Sequence, residues 1–226
     1  MIYGLVLLFY SLIKFQVIDD NSNDENLKKL KDLINSNIID CEIIHHNNSE
    51  HKEKIAAENN QETFGNLSSL LKCIEIAKKD HSDLIYFVED DYLHYEHSLV
   101  DMLNTYERIS SQHKDEIIVC PSDYPFNYMN NEKTNILIGS QQHWRTITKM
   151  LCTFMISKKM FQKHIDNFEK TCEKRHEPFE KYLNEIYEKE ICISPLKSLS
   201  IHLTNVNSSY GLAPFIDYKK LWEENK

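Results

Sequence analysis

Two short apolar runs in this chain each end in a group of acids. Phe15-Gln16-Val17-Ile18 runs into Asp19-Asp20-Asn21-Ser22-Asn23-Asp24, and Leu84-Ile85-Tyr86-Phe87-Val88 runs into Glu89-Asp90-Asp91. Runs of β-branched and aromatic residues bounded by turn formers read as buried strands. A helical pattern follows the first acidic group, with Ser22 or Asn23 as its cap and Asp24 and Glu25 at its positive end. Strand, acids, helix, stated twice, is the grammar of an α/β fold with a sheet flanked by helices. It also fixes where chemistry belongs, because the carboxyl ends of strands in open α/β sheets are where such folds bind ligands.

The rest of the chain keeps the alternation. Leu27, Leu30, Leu33 and Ile34 give one face to a helix over 26–36, and a strand is expected over 38–44. Residues 45–62 are polar and histidine-rich, which predicts a loop with solvated histidines at His45, His46 and His51. Helices are expected over 66–79 and 99–109, then a strand at Ile117-Ile118-Val119-Cys120 that ends at Pro121-Ser122-Asp123. Short strands follow at 136–138 and 153–156, and helices at 158–169 and 177–189. In the last of these Pro178 suits the first helical position, which puts Glu177 at the cap. With four glycines in the chain, no phosphate-cradling glycine loop is present.

Three adjacent carboxylates repel one another and are costly to desolvate. Glu89, Asp90 and Asp91 therefore need water, hydrogen-bond donors or a cation. A hard divalent ion, Mg²⁺ or Mn²⁺, takes oxygen ligands and can hold a diphosphate as well. The plainer alternative is a strand running into a charged surface turn.

The two acidic groups together resemble the inverting glycosyltransferases of the GT-A fold, in particular the large family-2 group. Val17-Ile18-Asp19-Asp20-Asn21-Ser22-Asn23-Asp24 is similar to that family's nucleotide-binding stretch, and Glu89-Asp90-Asp91 occupies the place of its Asp-x-Asp metal motif. The resemblance covers residues 10 to 120 well and the remainder loosely. It implies a GT-A-like mixed sheet flanked by helices, in one domain over 1–226. The half to about residue 120 would bind the nucleotide sugar, and the half from about 121 would face the acceptor. It implies Asp19, Asp20 and Ser22 as contacts to the nucleoside and Asp90 as a further contact through ribose or water. The resemblance implies Asp91 as the direct metal ligand, with Glu89 in support and a late histidine, His202, completing the shell; a core or surface role is the alternative for His202. Glu177, at the start of a late helix, would take the place of the catalytic base, with Glu180 and Asp123 behind it, and a plain favourable contact with the helix dipole is the alternative for Glu177. The implied reaction moves a sugar from a nucleotide donor, UDP-sugar favoured, to a glycan or lipid-linked acceptor with inversion. The segment Gln141-Gln142-His143-Trp144-Arg145-Thr146 offers a Trp face and an Arg fork, with a structural role as the alternative. The tail at 210–215 has the hinges of a lid.

Bulk properties narrow the field. A net charge of −9 argues against nucleic acid as the main partner. Cys41, Cys73, Cys120, Cys152, Cys172 and Cys192 form no Cys-x-x-Cys pair and read as free thiols of a reducing compartment. The apolar stretch at 2–13 is shorter than the ~20 residues a spanning helix needs and lacks the flanks of a signal peptide. It fits the family's first helix, over 5–14; the family's usual first strand is expected upstream of it, either lost or preceding a late start. The expected location is the cytoplasm, with peripheral membrane association as a variant. Two rivals remain: a non-catalytic remnant that binds a nucleotide or partner, and a metal-dependent phosphodiesterase or nucleotidyltransferase using the same carboxylates. The latter calls for a basic groove that the composition does not supply.

Overall fold

A computed structural model describes residues 13–36, 40–55, 60–129, 131–204, 206–211 and 216–224. The helix expected over 5–14 lies outside them as far as residue 12, and so does 212–215 of the tail. The chain divides into two compact units. One comprises residues up to Ala77 with Cys172–Arg175, and the other Lys78–Thr171 with His176 onward.

In the first unit, β1 (Phe15–Asp19) pairs in parallel with β2 (Cys41–His45). Between them runs α1 (Asp24–Ser36), whose first turn carries Asp24 and Glu25. No residue of α1 is buried, and Leu33, expected on its inner face, is 59% exposed. A 3₁₀ turn (Asn48–His51) leads to α2 (Gln61–Lys79), which begins earlier than its apolar periodicity suggested. Leu67, Leu71 and Ile74 of α2 are buried at the i, i+4, i+7 spacing of one helix face, and Ile55 joins the buried set.

The second unit holds a six-stranded mixed sheet. Its strands in chain order are β3 (Leu84–Phe87), β5 (Ile117–Val119), β6 (Ile136–Ile138), β7 (His143–Ile147), β8 (Phe154–Ser157) and β9 (Ile191–Pro195). Across the sheet they lie in the order β3-β8-β5-β9-β7-β6. β8 runs antiparallel to both β3 and β5, and β5 is parallel to β9. The carboxyl ends of β3, β5 and β9 therefore share one edge, with the amino end of β8 among them. A separate antiparallel pair joins β4 (Tyr92–His94) to β10 (Ser200–His202).

Period-two alternation decides which helix each strand face meets. Val119, Met155 and Ile193 pack with Met102 and Ile109 of α3 (Ser98–His113) and with Trp144. On the opposite face, Phe87 and Phe154 meet Phe161 of α4 (Lys158–Lys163) and Phe168 of α5 (Ile165–Cys172) at ring separations of 5.4–6.1 Å. Tyr187 of α6 (Lys181–Tyr187) closes edge-on against Phe154. The single helix expected over 158–169 is thus two, broken at His164, and α7 (Tyr218–Glu224) ends the described chain. Trp144 fits only because residue 139 is glycine, since a Cβ there would collide with the indole. The result is α/β, a mixed sheet with helices on both faces. Among the described residues no helix is long and apolar enough to cross a membrane.

Candidate active site

The acids after β3 sit in a tight turn held from two sides. The Glu89 N–H donates to Thr153 Oγ1 at 3.0 Å, at the start of the neighbouring β8. The chain then turns straight into β4, with Tyr92 N–H reaching back to the Glu89 carbonyl at 3.3 Å. β4 pairs with β10 so that His202 lies opposite Tyr92, and Leu203 N–H extends the ladder to the Asp91 carbonyl at 2.8 Å. That register sets His202 Nε2 2.8 Å from Asp91 Oδ2. The Tyr92 ring stacks on the imidazole at 4.8 Å and 14°.

These contacts fix the charges. Burial works to raise the Asp91 carboxyl, but hydrogen bonds from His202 and Thr204 outweigh it and hold the group below the ordinary carboxylate value. Burial likewise works to lower His202, and the charges of Asp91 and Glu89 outweigh it, so the imidazole is held above its usual value. Asp91 and His202 thus each favour the other's charged form. Burial, with Asp91 next to it, pushes Glu89 up to about 7. Glu180 belongs to the same electrostatic group: burial raises it, His202 lowers it, and its charge acts on Glu89. Asp91 Oδ1 is buried without a hydrogen-bond partner. Such an orphaned anionic oxygen is the atom a cation would use.

The helix expected from Glu177 begins instead at Lys181, with Glu180 as its N-cap. Residues 178–181 form a turn, closed by the Lys181 N–H on the Pro178 carbonyl at 3.1 Å, and the helical ladder starts with Asn184 N–H on the Glu180 carbonyl at 2.7 Å. Glu177 is exposed, while Glu180 is the half-buried carboxylate coupled to Glu89 and His202. Asp90 is exposed on the turn.

Asp123, after β5, has a different job. It is 1% exposed, and its oxygens are taken by Arg145 Nη2 at 2.5 Å and Tyr128 Oη at 2.6 Å. The guanidinium also lies 4.0 Å from the centre of the Tyr128 ring. Trp144 is fully buried in the core, so the Gln141–Thr146 segment is architectural: Gln142 ties Asp101 to the Lys197 N–H and Arg145 neutralises Asp123.

In the first unit, Asp19 is buried and Asp20 exposed. Asp19 Oδ1 accepts the Ser22 N–H at 3.1 Å, and Oδ2 meets His45 Nδ1 at 3.0 Å. Burial favours the neutral form, but these bonds from Ser22 and His45 hold the group below the ordinary value. Asn21 takes φ 61°, which the turn requires and asparagine tolerates. Asp20 Oδ1 accepts from Asn48 Nδ2 at 2.7 Å and from Asn21 Nδ2 at 3.1 Å. Gly65 lets α2 approach it, since a Cβ there would lie 3.2 Å from Asp20 Oδ2. His46 and His51 are not solvated as expected but buried, at 3% and 2% exposure, around Ser68.

Among the described residues no set of three His, Cys, Asp or Glu side chains is already arranged around a metal position. No protein-family model, no curated protein and no solved structure matches this chain.

Proposed function

We propose that the protein is a metal-dependent glycosyltransferase of GT-A type that takes its sugar from a nucleotide donor. The observation that carries the reading is the convergence of Glu89, Asp91, His202 and Glu180 at the carboxyl edge of the sheet, with Asp91 Oδ1 left without a partner. The sequence resemblance of Glu89-Asp90-Asp91 and Val17–Asp24 to that family's motifs supplies the donor class. Mg²⁺ and Mn²⁺ are commonly held by one or two carboxylates together with substrate phosphates and water. The absence of a three-residue cage among the described residues is compatible with that mode. Asp91, through Oδ1, would hold the ion, and His202, whose Nε2 is engaged by Asp91 Oδ2, would orient that carboxylate. When bound, it supplies Lewis-acid stabilisation of the departing diphosphate.

The chain's own groups then have separate tasks. Asp91 is kept anionic by His202 and Thr204. Asp20 is the exposed acid available to the nucleoside, and Asp19 and Ser22 shape its turn. Glu180 takes the proton of the acceptor hydroxyl, since it is the half-buried carboxylate tied electrostatically to Glu89 and His202. Glu177, exposed beside it, is the alternative base. The acceptor is a glycan or a lipid-linked glycan. The test is release of nucleoside diphosphate from a panel of UDP-, GDP- and CDP-sugars with and without Mn²⁺. Metal-stimulated release from one donor class supports the proposal. Tight, metal-independent nucleotide binding without turnover would favour a binding remnant instead.

A further inference from the structure

His46, Ser68, His51 and Glu75 form a buried hydrogen-bonded chain that the proposed chemistry does not use. Ser68 Oγ, fully buried, lies 2.8 Å from His46 Nε2 and 2.8 Å from His51 Nδ1. His51 Nε2 lies 3.3 Å from Glu75 Oε2, and Lys54 holds the other Glu75 oxygen at 2.5 Å. One hydroxyl proton cannot serve both imidazoles, so the chain has a direction. With Glu75 ionised, His51 Nε2–H donates to it and His51 Nδ1 is the acceptor. Ser68 then donates to His51 and accepts from His46 Nε2–H. This leaves His46 Nδ1 as a bare lone pair, and that atom is buried without a partner.

We propose that this chain is a proton-sensitive lock that fastens the segment 47–55 to α2 while His46 is neutral and releases it when His46 gains a proton. The added proton has one place to go, Nδ1, where no acceptor waits. It would also put a cation 5.2 Å, ring to ring, from His51. The charged groups that act on His46 are His51 and Lys72, which oppose protonation, and Asp20 and Glu50, which favour it. Burial adds to the opposition, and the balance holds His46 below the usual histidine value. The sign follows: the unfolded segment binds the proton more readily, so stability is full above about pH 6.5 and is lost as pH falls below it. The released segment contains Asn48, whose amide fixes Asp20. Acid would therefore also loosen the turn assigned to the nucleoside, a consequence that rests on the proposed function, whereas the lock itself does not.

The test is amide hydrogen exchange of residues 47–55 in the full chain between pH 5 and 8, corrected for intrinsic rates. One linked proton changes an opening constant by at most about tenfold per pH unit. Protection in the wild type should fall by about that factor from pH 6 to pH 5 and stay flat above pH 7. His46→Gln retains a donor for Ser68 without a titrating group and should flatten the acid limb, while the exposed control His81→Gln leaves it unchanged. Flat protection in the wild type, or an unchanged acid limb in His46→Gln, overturns the proposal. Should His46→Gln fail to fold, ¹⁵N shifts of the wild-type imidazole decide. A protonated Nε2 with bare Nδ1 at pH 7.5 supports the lock, and an imidazolium or the opposite tautomer overturns it. Neither readout involves nucleotide, so the result stands whether or not the glycosyltransferase reading does.

Discussion

Glu89 and Glu180 are acids that their surroundings bias toward the neutral form, and Asp91, two residues from Glu89, is one biased toward its charged form. The difference is one of partners: Asp91 has His202 and Thr204, whereas Glu89 has burial and a neighbouring charge. For Glu89, whose proton is held more tightly in the folded state, stability is greatest at low pH and declines as pH rises from about 4.5 to about 7. Glu89→Gln should therefore stabilise the protein at pH 8, on the order of 1–3 kcal/mol, and change little at pH 4. Denaturant titrations at the two pH values measure this, and equal effects at both would contradict the assignment. A second expectation concerns Glu180. General-base catalysis contributes roughly 10²–10⁴-fold in rate. Glu180→Gln should cut turnover by about that factor and leave nucleotide affinity intact, while Glu177→Gln costs little. The opposite ranking in steady-state kinetics would return the role to Glu177.

Elements, rather than single residues, bring the site together. Asp91 and His202 lie 111 positions apart, and the β4–β10 register makes them neighbours. Both acidic strands, the helices around them and the acid position at the end of β3 were legible in the sequence, because local apolar runs and periodicity encode them. The β4–β10 pairing was not, because a three-residue strand carries too little pattern to announce its partner. The late helix departs from its sequence pattern for a related reason. Pro at a first helical position is a statistical preference, and here Pro178 opens a turn over 178–181 while the ladder begins only at Glu180. The polar composition of 45–62 predicts solvated histidines at His46 and His51, yet Ser68, on α2, gives them a buried partner. At this scale the Asp123–Arg145 pair makes its own prediction. Both side chains are almost fully buried, and removing one partner of such a pair typically costs ~3–5 kcal/mol. Arg145→Met should lose about that much in equilibrium unfolding. A loss below about 1 kcal/mol would mean that Asp123 is relieved by protonation or water.

For the whole molecule, the decisive question is whether the carboxyl edge of the sheet binds a metal-bridged diphosphate. Net charge −9 makes an anionic substrate unwelcome unless a cation accompanies it. The proposal assigns Asp20, an exposed acid, a metal-independent contact to the nucleoside, so Asp20→Ala should weaken uridine binding in metal-free buffer. Persistence of full affinity there would remove Asp20 from the nucleoside site. The most direct measurement is calorimetry of UDP binding at neutral pH, with and without Mn²⁺, on the wild type and on Asp91→Asn. Mn²⁺ should tighten UDP binding to the wild type by at least about tenfold, a coupling of about 1.4 kcal/mol. Asp91→Asn should abolish that gain while folding normally. Mn²⁺-independent binding in the wild type, or an undiminished Mn²⁺ effect in Asp91→Asn, would contradict the assignment of Asp91 as the metal ligand of a nucleotide-sugar site.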